Sequence, residues 1–169
     1  AVFIEAGAWM RAQYCPRPGE TDWLTSVNRE VLAVRNGVGI CDVSTLGKID
    51  IQGADAAAFL ERVYCNGFRA LPVGKARYGL MLREDGFVMD DGTTSRLAET
   101  HFLMTTTTAN AGKVMQHLEF CHQVLWPELD VRLVSVSEQW AQAAIAGPMA
   151  RLVLQSVVDA EHDICNEAF

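Results

Sequence analysis

The chain lacks the cysteine patterns and the long apolar runs that mark several common classes of protein. Its five cysteines, among 169 residues, include no Cys-x-x-Cys pair and are odd in number, which argues against a disulfide framework and a zinc knuckle. We therefore expect reduced thiols that act mostly as small core residues, and a cytoplasmic location. No apolar run reaches about 18 residues and no signal-peptide pattern occurs, so we expect no membrane insertion.

Positive charge is also scarce. Lys and Arg number 14 against 21 Asp and Glu, which gives a formal net charge of −7. A nucleic-acid-binding domain normally carries a basic face, so we expect no nucleic-acid partner. An acidic domain can still bind a small anion through a few local cations or backbone N–H groups, and the charge is only a weak constraint on such ligands.

Nucleotide and metal motifs are incomplete. Gly37-Val38-Gly39 has no third glycine and follows a predicted helix, whereas a dinucleotide-binding loop follows a strand. His117 and Cys121 lie four residues apart on another predicted helix, but no third ligand is in range. The sequence therefore predicts no metal site.

Local patterns divide the chain into two regions. Residues 1–24 show no clear hydrophobic period and contain Pro16, Pro18 and Gly19, which predicts an irregular lead-in. Residues 25–169 carry the periodic segments of a folded region. The first residues lack an initiator Met and the last stop without a polar tail, so we interpret the sequence as a piece of a longer protein.

The periodic segments predict an α+β fold in which antiparallel hairpins are interleaved with packed helices. The clearest hairpin turns at Glu84-Asp85-Gly86, because Asp-Gly is a strong turn signal. The first predicted helix begins at Thr25 or Ser26 and ends at Gly37, and the other predicted helices cover residues 54–63, 111–125 and 148–158. The predicted strands cover residues 38–43, 47–52, 76–82, 87–94, 101–108, 130–136 and 140–146.

Asp90 and Asp91 are the side chains best suited to chemistry. Neighbours on a strand face opposite sides, so the two acids cannot both point into one pocket. Asp91 shares its side with Phe87 and Met89, and if this bulky side packs inward, Asp91 is the inner carboxylate. Such a group must be hydrogen-bonded or have its pKa raised, which suits it to proton handling. The alternative is that Asp-Asp-Gly simply makes a turn.

Other residues of the hairpin region allow both a functional and a structural interpretation. Tyr78, on the partner strand, could stack on a flat heterocycle, or it could be an ordinary core aromatic. The run Thr105-Thr106-Thr107-Thr108 sends two hydroxyls to each face of its strand. One pair could line a pocket, although a plain β-branched strand is the better explanation of the run.

Three stretches together resemble the glycine-cleavage T-protein family, and the resemblance covers nearly the whole chain. They are the segment 35–44, the hairpin ending in Asp90-Asp91, and Ile145-Ala146-Gly147-Pro148. Within the family, the segment 44–49 is similar to the branch of sarcosine oxidase α subunits. Aminomethyltransferases usually have a His and a Met in this segment instead. Residues 105–110, 138–141 and 166–169 agree with that branch.

The resemblance implies the leading half of a folate-binding domain that transfers a one-carbon unit to tetrahydrofolate. In this branch the amine is oxidised at a flavin in the β subunit, and the imine then reaches the folate site to form 5,10-methylenetetrahydrofolate. The resemblance also implies FAD, FMN and NAD in the whole enzyme, and β, γ and δ subunits as partners.

The family's functional residues match five positions. Its essential acid matches Asp91, which would orient the nucleophilic nitrogen of the folate and handle a proton. Its folate-stacking Tyr matches Tyr78, and a Met beside the pterin matches Leu46. Thr93 and Thr107 match further lining positions.

The chain departs from the complete family pattern in one respect. The family completes its pterin site with a Glu and an Arg from the second half of the domain, which these 169 residues lack. We therefore expect the isolated fragment to bind folate poorly, to be inactive and to self-associate through a bare edge or apolar face. Two alternatives stay open: a scaffold or subunit-interaction module without chemistry, and a stand-alone aminomethyltransferase or dimethylglycine oxidase relative.

Overall fold

The computed structural model describes residues 1–165, which fall into two compact units. One unit contains residues 1–5, 10–43 and 141–165, and the other contains residues 6–9 and 44–140. The predicted agreement of residues 166–169 with the sarcosine oxidase branch lies outside the described residues.

Helices are interspersed among strands that pair antiparallel throughout the described registers, as an α+β fold requires. This confirms the predicted fold class. The strands are β1 (Val2–Ala6), β2 (Trp9–Tyr14), β3 (Gly39–Asp42), β4 (Gly47–Gln52), β5 (Ala76–Leu82), β6 (Val88–Ala98), β7 (His101–Thr106), β8 (Arg132–Ser135) and β9 (Ala143–Ala146). The α-helices are α1 (Trp23–Asn36), α2 (Ala56–Val63), α3 (Ala111–Phe120) and α4 (Ala150–Gln155).

The first 24 residues are not irregular throughout, and the prediction is wrong for residues 2–14. Strands β1 and β2 form a two-stranded sheet, and Gly7 supplies the positive φ of 62° that the tight connection between them needs. Pro16, Pro18 and Gly19 lie after this sheet, in the connection to α1. The strands are short and their residues are largely exposed, which explains why their sequence shows no hydrophobic periodicity.

Helix α1 begins earlier than its predicted cap. Asp22 is the N-cap: its Oδ1 accepts from the Thr25 backbone N–H at 2.9 Å and its Oδ2 accepts from the Thr25 hydroxyl at 2.7 Å. The predicted end at Gly37 is confirmed. In the same unit β3 pairs with β9. Gly147, at φ 116°, lies so close to Gly37 that a Cβ on Gly147 would be 2.4 Å from the Gly37 carbonyl oxygen.

The second unit is built on a five-stranded sheet in the order β5-β6-β7-β4-β8. Helices α2 and α3 place their apolar side chains in one cluster with the inner face of this sheet. The alternation predicted for residues 47–52 is confirmed, because Ile49 and Ile51 are in the cluster. The cluster includes Phe59, Leu60, Phe68, Met81, Phe102, Met104, Val114 and Leu118.

The opposite face of β4 carries Lys48, which is only 1% exposed. Its ammonium donates to the Ser44 carbonyl oxygen at 2.6 Å, so the charge is hydrogen-bonded as burial demands.

Two further expectations differ in detail from the structure. The helix predicted over residues 111–125 is α-helical only to Phe120 and continues as one turn of π-helix over Cys121–Leu125. Cys121 is buried as expected, but Cys15, Cys41 and Cys65 are exposed, so most of the thiols are not core residues. Within residues 1–165, no helix combines the length and the apolarity needed to cross a membrane.

Glu20 organises the segment that leads into α1. Its carboxylate accepts from the Arg29 guanidinium at 2.6 Å, from the Ser26 hydroxyl at 2.6 Å and from the Arg17 backbone N–H at 2.8 Å. These bonds, led by the one from Arg29, lower the pKa of Glu20 from 4.5 to about 2.

We predict an acid-dependent stability difference between the wild type and Glu20→Gln. Because the folded state has the lower pKa, the stabilisation is complete above a pH near 4.5 and is lost as the pH falls towards 2. Urea unfolding of the two proteins should give midpoints that differ at neutral pH and converge in acid. A difference that stays constant down to the lowest pH would contradict this assignment.

Candidate functional site

The pairing of β5 with β6 brings predicted site residues together on the face of the sheet that points away from the apolar cluster. Tyr78 is directly opposite Thr93, and Leu80 is directly opposite Asp91. Because cross-strand partners share a face, these four side chains form one surface at one end of the sheet. We call this surface, defined by Tyr78, Leu80, Asp91 and Thr93, the acidic face.

Tyr78 and Asp91 are joined on the acidic face. The Tyr78 hydroxyl donates to the Asp91 carboxylate, and this hydrogen bond is the main reason why the pKa of Tyr78 is raised. The Tyr78 side chain is 56% exposed, so its ring remains open to a flat partner. The structure thus places the predicted acid and the predicted stacking residue in direct contact.

Asp90, not Asp91, faces the packed side of the sheet, so the parity argument was wrong. Asp90 is 4% exposed. Its Oδ2 accepts from the Thr107 backbone N–H at 3.1 Å, and its Oδ1 accepts from the Asn110 side-chain amide at 3.1 Å. Asp90 is therefore a buried, hydrogen-bonded structural carboxylate.

A β-bulge explains the error. Met81 pairs with Asp90 and Leu82 pairs with Val88, so Met89 is an extra residue without a partner in the register. The bulge resets the alternation between Phe87 and Asp91. Phe87 accordingly is 67% exposed instead of packing inward, while Met89 packs against the apolar cluster.

Strands β6 and β7 diverge next to the acidic face. Their last backbone partners in this direction are Thr94 and Met104. Beyond them the Thr105 hydroxyl accepts from the Thr93 backbone N–H and donates to the Thr93 carbonyl oxygen, both at 3.0 Å. Gly92 makes this possible, because a Cβ there would lie 2.2 Å from the Thr105 carbonyl oxygen.

The two remaining predicted residues lie near the same end of the sheet but contribute differently. Thr107 follows β7, and its backbone N–H binds Asp90 while its side chain is exposed. Leu46 is half-buried and directly precedes Gly47, which pairs with Thr106 at the end of β7. The topology therefore brings all five predicted positions to one end of the sheet, with Tyr78, Asp91 and Thr93 on the acidic face itself.

Three residues of the site were missed by sequence reasoning: Thr105, Asn110 and Gly92. Thr105 was considered only as part of a threonine run, whereas its hydroxyl replaces backbone groups in the β6–β7 ladder. Asn110 fixes the bulge, since its side-chain amide also donates to the Met89 carbonyl oxygen at 3.2 Å. A glycine beside two acids in the middle of a strand is the signal that could have indicated a close backbone approach.

Metal-ligating residues are not concentrated at the acidic face. His117 Nε2 and Cys121 Sγ approach within 3.5 Å. Burial lowers the pKa of His117 and raises that of Cys121, which favours the neutral form of both groups. In the part of the chain that the structure describes, one trio of exposed side chains, Asp159, Glu161 and His162, comes within ion-binding distance. Exposed acidic groups commonly cluster without an ion.

In chemical terms, the acidic face offers acceptor groups beside an exposed aromatic ring. A carboxylate has about four lone-pair sites, so the bond from Tyr78 leaves Asp91 with capacity to accept from a ligand. An N–H-bearing, flat heterocycle fits such a surface, since its ring can lie on Tyr78 while its edge donates to Asp91.

Comparison with known proteins identifies the family. The profile described as "GCVT N-terminal domain" matches residues 1–169. The chain belongs to this family.

The most similar relatives include sarcosine oxidase α subunits and aminomethyltransferases. The chain is 67% identical to "Sarcosine oxidase subunit alpha" of Rhizobium meliloti and 52% identical to that of Corynebacterium sp. strain P-1, over its whole length and 17% of each relative. It is 39% identical over 137 residues to an aminomethyltransferase of Thermus thermophilus, covering 81% of this chain and 38% of that protein. The chain thus spans about one sixth of the α subunits it matches.

A solved structure shares the fold. The crystal structure of glycine cleavage system aminomethyltransferase T from Bartonella henselae superposes with a TM-score of 0.79 at 24% identity, covering 96% of this chain and 42% of that one. This likeness agrees with the predicted T-protein-like fold.

We predict opposite consequences for the two adjacent acids. Asp90→Asn places an NH2 group against a donor of Thr107 or Asn110, and a buried unsatisfied group costs about 1–3 kcal/mol. Asp91→Asn removes a carboxylate from the open face and should change stability by less than about 0.5 kcal/mol. Amide hydrogen exchange at Thr107, in the protein that contains this chain, should accelerate in Asp90→Asn only. Equal protection in both variants would show that Asp90 is not structural.

Proposed function

We propose that the chain is part of the folate-binding, one-carbon-transfer domain of a sarcosine oxidase α subunit. In this proposal tetrahydrofolate accepts the methylene group of the imine produced by sarcosine oxidation, and 5,10-methylenetetrahydrofolate is the product. The observation that carries the proposal is the Tyr78–Asp91 pair on the acidic face. The relatives' names and the family membership support it.

The acidic face fits a reduced pteridine in shape and in hydrogen-bond type. The exposed Tyr78 ring provides a stacking surface, and Asp91 and Thr93 provide oxygen acceptors on the same face. The pyrimidine ring of a reduced pteridine is flat, and the molecule carries N–H donors on its edges. A nitrogen of its reduced ring supplies the nucleophile for the one-carbon unit. We assign ring stacking to Tyr78 and edge recognition to Asp91 and Thr93.

Asp91 has two tasks in this mechanism. Its carboxylate accepts a hydrogen bond from a ring N–H, which orients the nitrogen lone pair towards the imine carbon. As the new C–N bond forms, the π electrons of the imine move to its own nitrogen, the folate nitrogen loses its proton, and Asp91 is placed to accept that proton. A second folate nitrogen then closes the methylene bridge, and the original C–N bond breaks so that the protonated amine leaves as glycine. Tyr78 keeps the carboxylate in position through its hydroxyl. Leu46 and the Thr107 region are proposed to border the ring at the same end of the sheet.

The rest of the site is proposed to come from the remainder of the parent polypeptide. The resemblance assigns a Glu and an Arg to the second half of the domain, so we propose that these 169 residues alone bind tetrahydrofolate poorly and are inactive. FAD, FMN and NAD are proposed to bind elsewhere in the whole enzyme, with β, γ and δ subunits as partners. A cytoplasmic location and self-association of the isolated chain stay predictions from the sequence.

Replacing Asp91 in the complete enzyme tests the proposal. We expect Asp91→Asn to lower the rate of 5,10-methylenetetrahydrofolate formation by about 100-fold or more, because general acid–base groups contribute about 10²–10⁴-fold. Sarcosine oxidation, measured as flavin reduction, should be unchanged. The uncaptured imine should hydrolyse, so formaldehyde should replace the folate product.

Asp85→Asn is the matched control. Asp85 is an exposed acid in the turn of the same hairpin, where it binds Arg83 and the Phe87 backbone N–H, and its replacement should leave the product ratio unchanged. An unchanged folate product in Asp91→Asn would remove the catalytic role and favour the scaffold or subunit-interaction alternative. Transfer from an aminomethyl donor, without sarcosine oxidation, would favour the aminomethyltransferase alternative.

A further inference from the structure

The Thr105 hydroxyl has an unusual set of neighbours. Its Oγ1 lies 3.0 Å from the Thr93 backbone nitrogen, 3.0 Å from the Thr93 carbonyl oxygen and 3.0 Å from the Thr93 hydroxyl oxygen. In a regular antiparallel ladder the backbone of Thr105 would contact Thr93 instead. One side chain therefore replaces the backbone of β7 and also touches the hydroxyl of a residue on the acidic face.

These contacts determine which hydroxyl donates to which. A hydroxyl has one proton and two lone pairs. The Thr93 carbonyl oxygen can only accept, so it takes the Thr105 proton. The Thr93 backbone N–H can only donate, so it takes one lone pair of Thr105. The contact between the hydroxyls is then satisfied only when Thr93 donates to the second lone pair of Thr105.

We propose that Thr105 is a positioning residue that fixes the Thr93 hydroxyl as a hydrogen-bond acceptor towards the ligand. This inference rests on the proposed function and deepens it. With its proton directed at Thr105, Thr93 presents only lone pairs to the acidic face. Thr105 itself does not touch the ligand and acts through Thr93.

The consequence is a surface of uniform hydrogen-bond polarity. Asp91 is an acceptor, its neighbour Tyr78 directs its proton to Asp91, and Thr93 is fixed as an acceptor. A ligand edge with N–H donors, such as the ring N–H of a reduced pteridine from which Asp91 is proposed to accept, matches this surface. A ligand edge of carbonyl oxygens would leave acceptors facing acceptors, which is unfavourable when water is excluded.

The divergence of the strands is the structural condition for this arrangement. Gly92 lets the Thr105 backbone pass close beneath β6, and Asp90 holds the chain after β7 through the Thr107 N–H. Without this separation the Thr105 side chain could not enter the ladder, and the Thr93 hydroxyl would be free to rotate and to donate.

A double-mutant cycle in the complete enzyme tests the inference. The dissociation constant of tetrahydrofolate is measured for the wild type, Thr105→Val, Thr93→Val and the double variant, with Thr105→Ser and Thr93→Ser as hydroxyl-retaining controls. Loss of one neutral hydrogen bond is about 0.5–1.5 kcal/mol, so each Val variant should bind about 2- to 12-fold more weakly, at about 1.4 kcal/mol per tenfold change. Both Ser variants should bind as the wild type does.

The decisive result is the loss of additivity. If Thr105 acts through Thr93, Thr105→Val should have no further effect in the Thr93→Val background, whereas a general structural role would leave its penalty intact. Wild-type affinity in Thr105→Val, or an undiminished penalty in the double variant, would overturn the inference and leave the proposed function standing. Absence of tetrahydrofolate binding to the wild type would overturn both. If the enzyme with Thr105→Val fails to assemble, the two Thr93 variants provide the test. Equal tetrahydrofolate affinities for Thr93→Val and Thr93→Ser would contradict the inference.

Discussion

The buried carboxylate of Asp90 is the interaction on which the candidate site depends. It accepts from the Thr107 backbone N–H and from the Asn110 side chain, and so connects β6 to the chain after β7 where the two strands no longer pair through their backbones. The connection satisfies a buried charge. The same end of β6 and β7 contains the separation into which the Thr105 hydroxyl is inserted. The pairing of β5 with β6 forms the acidic face, and its Thr93 hydroxyl contacts Thr105 at that separation.

Adjacent acids on one strand perform different tasks because a strand presents neighbours to opposite faces. Asp90 lies on the packed face and stabilises the fold, while Asp91 lies on the open face beside Tyr78. A single residue inserted at the bulge, Met89, decides which acid is which. In the proposed chemistry, the buried acid keeps the strands in place and the open acid meets the ligand. The close spacing of Asp90 and Asp91 therefore does not indicate a catalytic carboxylate pair.

The sequence predicted much of the framework where the physical signal is local. The bounds of β4 and β5 were predicted to the residue, because alternation and the Asp-Gly turn depend on neighbouring residues alone. The β1–β2 sheet was missed because both strands are largely exposed and have no apolar period. The parity of β6 was wrong because a bulge depends on the register with a partner strand, which a single segment does not encode.

The site was predicted in part, and for two different reasons. Asp91 and Tyr78 were identified by family resemblance, with a parity argument for Asp91 alone. The structure places the two in contact although the parity argument itself fails. Thr105 and Asn110 were not identified as functional, because their importance arises from bonds to residues 12 and 20 positions away in the chain. Such bonds depend on how far two strands separate, and no local pattern reports that distance.

The most direct test is a crystal structure of the full-length protein, in its complex, with an unreactive tetrahydrofolate analogue. We predict that the pteridine ring lies on Tyr78, that the Asp91 carboxylate accepts from an N–H of the ring, and that Asp90 keeps its bonds to Thr107 and Asn110. A ligand bound with Asp91 facing solvent, or with Asp90 turned to the ring, would contradict the account.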